Sequence, residues 1–208
     1  MFRLLEVHDV WKKYGKTWVL KGVNLKINKN ALVGIVGDNG SGKTTLLKII
    51  SGLIKPNKGR VKLFNSDIRE NLNYKSMIGM LFHENTLYDE LTVEENLNFY
   101  AKIYGLEKMS DIAAEIFKRM RLENYKDTKV KDLSHGMKRR VNLVRALINN
   151  PKIVLLDEPL SGLDEKSRKT VKKIMIELSN EKIIIFTSPT EVNIDCIKYK
   201  LINGVLVK

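Results

Sequence analysis

The sequence contains a single cysteine, Cys196, among 208 residues. One cysteine excludes an internal disulfide and a metal centre built from several cysteines. Long apolar runs are missing too, since stretches such as residues 31–37 fall far short of the roughly 20 residues that a membrane-spanning helix needs. The N-terminal segment Met1–Glu6 includes an acidic residue and lacks the apolar run of a secretory signal. These absences predict a cytoplasmic chain.

Acidic residues are outnumbered, because 37 Lys and Arg stand against 24 Asp and Glu, a formal net charge of +13. Such an excess suits nucleic acid, an acidic membrane surface or a phosphate-rich ligand. The basic residues are nevertheless scattered, without a long basic run or interleaved aromatic residues. This pattern is typical of an ordinary solvated surface, so we expect no nucleic-acid partner.

Three blocks organise the chain, which has no repeat and no linker rich in proline or serine. Residues 1–90 and 151–208 contain short apolar strands that alternate with helical patterns, whereas residues 91–150 are helical throughout. Alternating strands and helices imply a mostly parallel sheet that helices cover on both faces. The sequence therefore predicts one α/β domain, residues 1–208, in which residues 91–150 form a helical insert.

Local signals place several elements. Residues 31–36 are continuously apolar, as in a buried strand, and a helix is expected over residues 43–51. Thr92-Val93-Glu94-Glu95 is a capping box that predicts the start of a helix. Asn203-Gly204 between two short apolar segments predicts a hairpin.

A glycine-rich stretch lies between the predicted strand and helix and fits G-x-x-x-x-G-K-[ST]: Gly37-Asp38-Asn39-Gly40-Ser41-Gly42-Lys43-Thr44-Thr45. Its glycines let the backbone curl so that successive N–H groups face phosphate oxygens, and the helix N-terminus adds partial positive charge. We expect Lys43 to reach the β- and γ-phosphates and Thr44 to offer its hydroxyl to Mg²⁺. The stretch predicts a site for ATP and Mg²⁺.

Two adjacent carboxylates follow a second apolar strand, residues 153–156. We expect Asp157 to hold the Mg²⁺ shell, as the Walker-B aspartate does in P-loop ATPases. Glu158 is expected to polarise the attacking water as a general base. Such a pair at a strand end is by itself more often a helix cap. Together with the phosphate loop and its catalytic Lys43, it predicts ATP hydrolysis.

The sequence Leu133-Ser134-His135-Gly136-Met137 opens a predicted helix and resembles the signature of ATP-binding cassette (ABC) ATPases, LSGGQ in its commonest form. Tyr14 stands where that family has an aromatic residue that stacks on adenine, and Ser161-Gly162-Leu163-Asp164 resembles its D-loop at the dimer seam. Two alternatives stay open: Tyr14 as a core aromatic residue and the segment ending at Asp164 as a helix cap. The resemblance covers nearly the whole chain.

The resemblance implies a P-loop NTPase core, an N-terminal antiparallel β portion and a helical insert subdomain. It also implies that two cassettes pair head to tail, as a homodimer or heterodimer. Ser134, His135 and Gly136 of one cassette would then close over ATP bound by the other.

Three positions depart from the family's usual pattern. His83 replaces a glutamine that touches Mg²⁺, and imidazole is a poor direct ligand for that ion. His135 replaces the first signature glycine, and Pro189 replaces the switch histidine, which leaves no side-chain donor at that position. We hypothesise that a homodimer hydrolyses ATP slowly or that a partner cassette supplies better groups. As an alternative, His83 fills the catalytic gap.

A subunit that binds and hydrolyses ATP to power a membrane transporter is the function that the resemblance implies. Separate transmembrane permease subunits would contact residues 83–98, and the cassette would be peripheral on the cytoplasmic face of the cell membrane. Within the family, the amino-acid sequence of this stretch is similar to that of exporter-type cassettes, including the haem-exporter ATPase. The alternative is a soluble ABC ATPase that acts on nucleic acid, ribosomes or iron–sulfur assembly.

Overall fold

The computed structural model describes residues 4–70, 72–84 and 86–208. Residues 1–3 of the N-terminal segment, and Asn85 within the stretch expected to meet permease subunits, lie outside this description. A four-stranded antiparallel sheet holds the N-terminal strands, which are β1 (Leu5–Tyr14), β2 (Thr17–Ile27), β4 (Lys58–Leu63) and β5 (Ser66–Asp67). Val23, Leu25 and Ile27 of β2 are buried while the residues between them are exposed, which is the expected strand alternation.

The second sheet has six strands: β3 (Ala31–Val36), β6 (Ile78–Leu81), β7 (Ile153–Leu156), β8 (Ile183–Ser188), β9 (Ile197–Ile202) and β10 (Val205–Val207). Its order is β10-β9-β3-β8-β7-β6, and only the β9–β10 hairpin is antiparallel within it. The hairpin turns at Asn203 and Gly204, which both have positive φ. The mostly parallel sheet predicted from the sequence is thus confirmed.

Five α-helices are present in the described ranges: α1 (Lys43–Ile50), α2 (Val93–Ile103), α3 (Asp111–Arg119), α4 (His135–Arg145) and α5 (Glu165–Leu178). The capping box of α2 is complete, because the Thr92 side chain accepts from the Glu95 N–H and the Glu95 carboxylate accepts from the Thr92 N–H. None of these helices combines the length and apolar character needed to cross a bilayer.

Two hydrophobic clusters lie on opposite faces of the six-stranded sheet. Strand β7 divides its side chains between them, since Val154 and Leu156 pack with helices α2–α5, whereas Ile153 and Leu155 pack with α1 and the antiparallel sheet. A strand buried on both faces needs a continuously apolar sequence, which explains the four-residue run of β7. The helical block therefore shares its core with only one face of the sheet.

We predict that Gly79→Ala in β6 is strongly destabilising. A Cβ atom on Gly79 would lie 1.8 Å from the Ala146 carbonyl oxygen and 2.8 Å from Pro151. Because backbone atoms cannot yield, the free energy of unfolding should fall by about 3 kcal/mol, the upper part of the usual overpacking range. The measurement is chemical denaturation.

Gly105→Ala is the matched control, because its Cβ would meet open space and only its positive φ opposes alanine. It should cost about 1 kcal/mol. Equal losses for the two variants would contradict the packing argument.

Candidate active site

The phosphate loop connects β3 to α1 and is shaped by two glycines with positive φ, Gly40 at 81° and Gly42 at 104°. Gly42 is also the N-cap of α1. A Cβ on Gly42 would lie 3.0 Å from the side chains of both Val19 and Leu20, so β2 abuts the loop there. The glycine is thus required by both conformation and space.

Lys43 is the first residue of α1 and is only 5% exposed. Its ammonium donates to the carbonyl oxygens of Gly37, at 2.6 Å, and Asp38, at 3.0 Å, so the side chain folds back across the loop. Both acceptors are uncharged. The positive charge therefore remains uncompensated by these partners and fits a phosphate group.

Asp157 lies at the end of β7, 2% exposed, with each carboxylate oxygen bound to a different threonine. Thr44 of α1 donates to Oδ2 at 2.7 Å, and Thr187 of β8 donates to Oδ1 at 2.6 Å. A hydroxyl and a carboxylate are oxygen ligands of the kind that Mg²⁺ prefers, so the residues present fit this ion. Within the described ranges no group of three or more His, Cys, Asp and Glu residues could hold a metal. A cation beside Thr44 and Asp157 would take its further ligands from water or from phosphate oxygens.

Glu158 follows with a φ of 50°, in the left-handed region that a residue with a side chain seldom adopts. Its N–H donates to the Thr187 hydroxyl at 2.9 Å, which fixes the peptide between the two carboxylates. Glu158 is partly buried and lines a cavity of about 340 Å³ together with Thr187 and Pro189. Strained backbone of this kind concentrates at functional sites.

Arg139 of α4 reaches the back of the same site and is 6% exposed. One guanidinium nitrogen donates to the Phe82 carbonyl at 2.9 Å. The other donates to the carbonyl of Glu158 at 2.8 Å and closely to that of Asp157. Burial lowers the pKa of Arg139, while the charges of Asp157 and Glu158 oppose that effect.

Ser134 and His135 are exposed and Gly136 is partly buried at the start of α4, where the Ser134 hydroxyl caps the helix by accepting from the Met137 N–H at 3.2 Å. The His135 ring lies against Gly162 of the same chain: a Cβ on Gly162 would be 2.7 Å from its Nδ1. A Cβ on Gly136 would lie 3.0 Å from the Gly162 carbonyl. The signature thus packs on its own D-loop, and the extra side chain of His135 turns toward that loop.

Asp164 ends the D-loop and caps α5, because its carboxylate accepts from the Ser167 N–H at 2.8 Å and from the Ser167 hydroxyl at 2.7 Å. These two hydrogen bonds hold the pKa of Asp164 below its usual range. The helix-cap interpretation of this residue therefore agrees with the geometry.

The remaining predicted residues lie around this centre. Tyr14 ends β1 and is 52% exposed, so the core interpretation of this aromatic residue is wrong. It closes the hairpin whose second strand touches the phosphate loop at Val19. His83 is exposed two residues after β6, and Pro189 is exposed directly after β8.

The profile of the ABC transporter family matches residues 20–161. The chain belongs to the ABC transporter family of ATPases. Among its relatives, this cassette is 38% identical over 183 residues to the probable sulfate/thiosulfate import ATP-binding protein CysA of Chlorella vulgaris, covering 87% of this chain and 77% of CysA. It is also 38% identical over 175 residues to the ATP-binding protein NatA of Bacillus subtilis (strain 168), covering 81% and 71% of the two chains.

A solved structure also resembles this cassette closely. It is the dimeric post-hydrolysis state of the ATP-binding cassette MJ0796 bound to ADP and Pi, with a TM-score of 0.87 and 30% identity. The match covers 98% of this chain and 97% of that chain. The similarity therefore extends over the antiparallel sheet, the P-loop core and the helical block.

Two residues of the site were not given a role from the sequence. Thr187 bridges Asp157 and the Glu158 N–H, and Arg139 binds the carbonyls of both acidic residues. A hydroxyl at the end of a buried strand was the available signal for Thr187. For Arg139 the signal was weaker, because basic residues are common throughout this chain.

We predict that Thr187→Val in this cassette impairs both stability and turnover. The valine is similar in shape but leaves one Asp157 oxygen and the Glu158 N–H without the hydroxyl. The free energy of unfolding should fall by about 1–3 kcal/mol. Because Glu158 loses its anchor, kcat for ATP should fall about 10-fold or more. Denaturation and phosphate release measure the two effects.

Thr170→Val is the control, since within the described part of the chain the Thr170 hydroxyl bonds to the Lys166 carbonyl of α5 and not to the site. It should leave kcat unchanged. A Thr187→Val variant with full turnover would show that the hydroxyl does not position Glu158.

Proposed function

We propose that this chain is the ATP-binding and hydrolysing subunit of a membrane transporter, and that ATP drives head-to-tail pairing of two such cassettes. The observation that carries the proposal is the joining of Thr44, Asp157 and Thr187 by two hydrogen bonds beside the phosphate loop. Family membership supplies the transporter context.

Each residue has one role in this proposal. The backbone of residues 37–45 and the Lys43 ammonium bind the β- and γ-phosphates, and the exposed Tyr14 ring stacks on adenine. Glu158 accepts the proton of the attacking water. Thr44 and Asp157 would hold Mg²⁺, which when bound neutralises charge on the phosphate oxygens.

A second cassette is the first proposed partner. Ser134, His135 and Gly136 lie on an exposed helix start, and their described contacts are within α4 and with Gly162 rather than with Lys43. This placement favours action on a nucleotide held by another chain. The dimeric state of MJ0796 supports the pairing of two cassettes.

Separate permease subunits on the cytoplasmic face of the membrane are the second proposed partner. Tyr88 lies in the stretch expected to meet them and is exposed, and its ring packs edge-on against the exposed Phe99 of α2 at 5.0 Å. Large exposed aromatic side chains are typical of protein interfaces. Import and export are both compatible with this surface.

The three departures from the family pattern, at positions 83, 135 and 189, affect the proposed rate of hydrolysis. Pro189 lines the Glu158 cavity but offers no donor to a γ-phosphate. His83 is exposed beyond β6, and His135 is turned to its own D-loop. We propose that a homodimer turns over slowly, or that a partner cassette supplies the missing contact.

Glu158→Gln should bind MgATP and accumulate as a dimer without turnover. The amide cannot accept the proton of water, so the ATP-bound pair persists. Light scattering after size-exclusion chromatography with MgATP should report twice the monomer mass, and phosphate release should be lost.

Glu165→Gln is the matched control, because Glu165 lines the same cavity from the first turn of α5. It should keep wild-type turnover. If Glu158→Gln stays monomeric with MgATP while Lys43→Ala also leaves ATP binding intact, the proposed site is wrong.

Pro189→His should raise kcat. An imidazole at this position would supply a donor toward the transferring phosphate, a contact worth about 10²–10³ in rate by analogy with oxyanion donors. Thr190→His, one residue further along, should not produce the gain. Vigorous turnover by the unsubstituted chain, abolished by Glu158→Gln, would overturn the slow-rate hypothesis.

A further inference from the structure

Arg139 is a buried cation whose described hydrogen bonds all go to backbone carbonyls. It is 6% exposed, and its guanidinium binds the carbonyls of Phe82, Asp157 and Glu158. Its Nε is buried and has no hydrogen-bond partner among the described residues. Burying a charge is costly, and the nearby charges of Asp157 and Glu158 oppose that cost, so Arg139 is linked to the acidic pair by charge as well as by hydrogen bonds.

The three carbonyls belong to the functional segments of the site. Phe82 immediately precedes His83, and Asp157 and Glu158 are the two acidic residues at the end of β7. A single planar guanidinium therefore ties the ends of two adjacent parallel strands, β6 and β7, to helix α4. Only a forked donor with several N–H groups can make these bonds together.

The strained peptide of Glu158 is held from both sides. The Thr187 hydroxyl accepts from its N–H at 2.9 Å, and Arg139 donates to its carbonyl at 2.8 Å. The φ of 50° is unfavourable for glutamate and persists only where neighbouring groups enforce it. Because the peptide groups on both sides of the Glu158 Cα are held, the direction of its Cα–Cβ bond is fixed as well.

We propose that Arg139 is the positioning residue of the catalytic carboxylate: its guanidinium holds Glu158 in the left-handed conformation that aims the side chain at the nucleotide. Because Arg139 is on α4, four residues after His135, the same bonds couple the signature helix to Glu158 of its own chain. The inference rests on the proposed ATPase function and adds to it a residue that acts through the backbone of Glu158.

The test is Arg139→Met, which fills similar volume without the donors. Single-turnover phosphate release should slow about 10- to 100-fold, since misplacing a reacting group by about 1 Å costs up to about 10²-fold. The affinity for ATP and the MgATP-dependent dimer should be retained, because the phosphate loop and the exposed signature are untouched. A purely structural role would instead weaken binding, dimerisation and thermal stability together.

Arg145→Met is the matched control. Arg145 is on the same helix, donates to the Met80 carbonyl of β6 at 2.7 Å and stacks on Tyr100, but bonds to no carbonyl at the acidic pair. Its loss should lower the thermal midpoint while leaving the rate of phosphate release unchanged. An equal slowing by both variants would overturn the proposal.

Arg139→Lys separates the effect of the planar guanidinium from that of the positive charge. It also keeps the test decisive if Arg139→Met folds poorly. Lysine retains the cation but lacks the planar fork, so it should recover little of the rate. Full activity of Arg139→Lys would contradict the proposal, as would weakened ATP binding in a folded Arg139→Lys variant. Absence of both ATP binding and hydrolysis in the unsubstituted chain would instead count against the proposed function.

Discussion

The Asp157 carboxylate, held by two threonine hydroxyls, is the interaction on which the site depends. Its partners come from different parts of the chain: Thr44 from the helix after β3, and Thr187 from the end of β8. The sheet order places β3, β8 and β7 side by side and parallel, so their carboxyl ends meet at one edge. Ligand sites of open α/β sheets form at this edge.

The same edge explains how a charged centre is compatible with a buried sheet. Strands β7 and β8 are buried along their whole length, Asp157 directly after β7 is buried as well, and the chain first becomes partly exposed at Glu158 and exposed at Pro189. Each carboxylate oxygen of Asp157 has a donor, and Arg139 satisfies the carbonyl behind it. Satisfied polar networks in low dielectric are rigid, whereas partly satisfied ones are costly. The site is therefore built as a network and not as separate residues.

Much of the fold could be predicted because its signals are local. The phosphate loop, the capping box at Thr92 and the Asn203-Gly204 hairpin each depend on residues within a few positions of one another. The N-terminal strand β1 was not assigned individually from its sequence. Its pairing with β2 shifts register between Val7 and Val10 and again before Lys12, so no strict alternation marks it.

Within the site, the sequence predicted the groups that belong to motifs and missed those that meet only in the folded chain. Asp157 and Glu158 are adjacent in the chain and follow an apolar strand. Thr187 is separated from Asp157 by 30 positions, and Arg139 from Phe82 by 57. Nothing in one sequence states that such distant residues are neighbours. Their roles depend on contacts between residues that the sheet topology brings together, and not on residue type.

The contact between His135 and Gly162 restricts which side chains the signature and the D-loop can carry together. The imidazole occupies the space that a β-carbon at position 162 would need, with only 2.7 Å between them. A cassette that carried alanine at position 162 would have no room for this ring orientation, whereas glycine at position 135 would remove the conflict. An alanine at position 162 would have to displace the His135 ring and would also carry the strain of a φ of 70°, so the signature histidine fits its present place because the D-loop facing it has no side chain there.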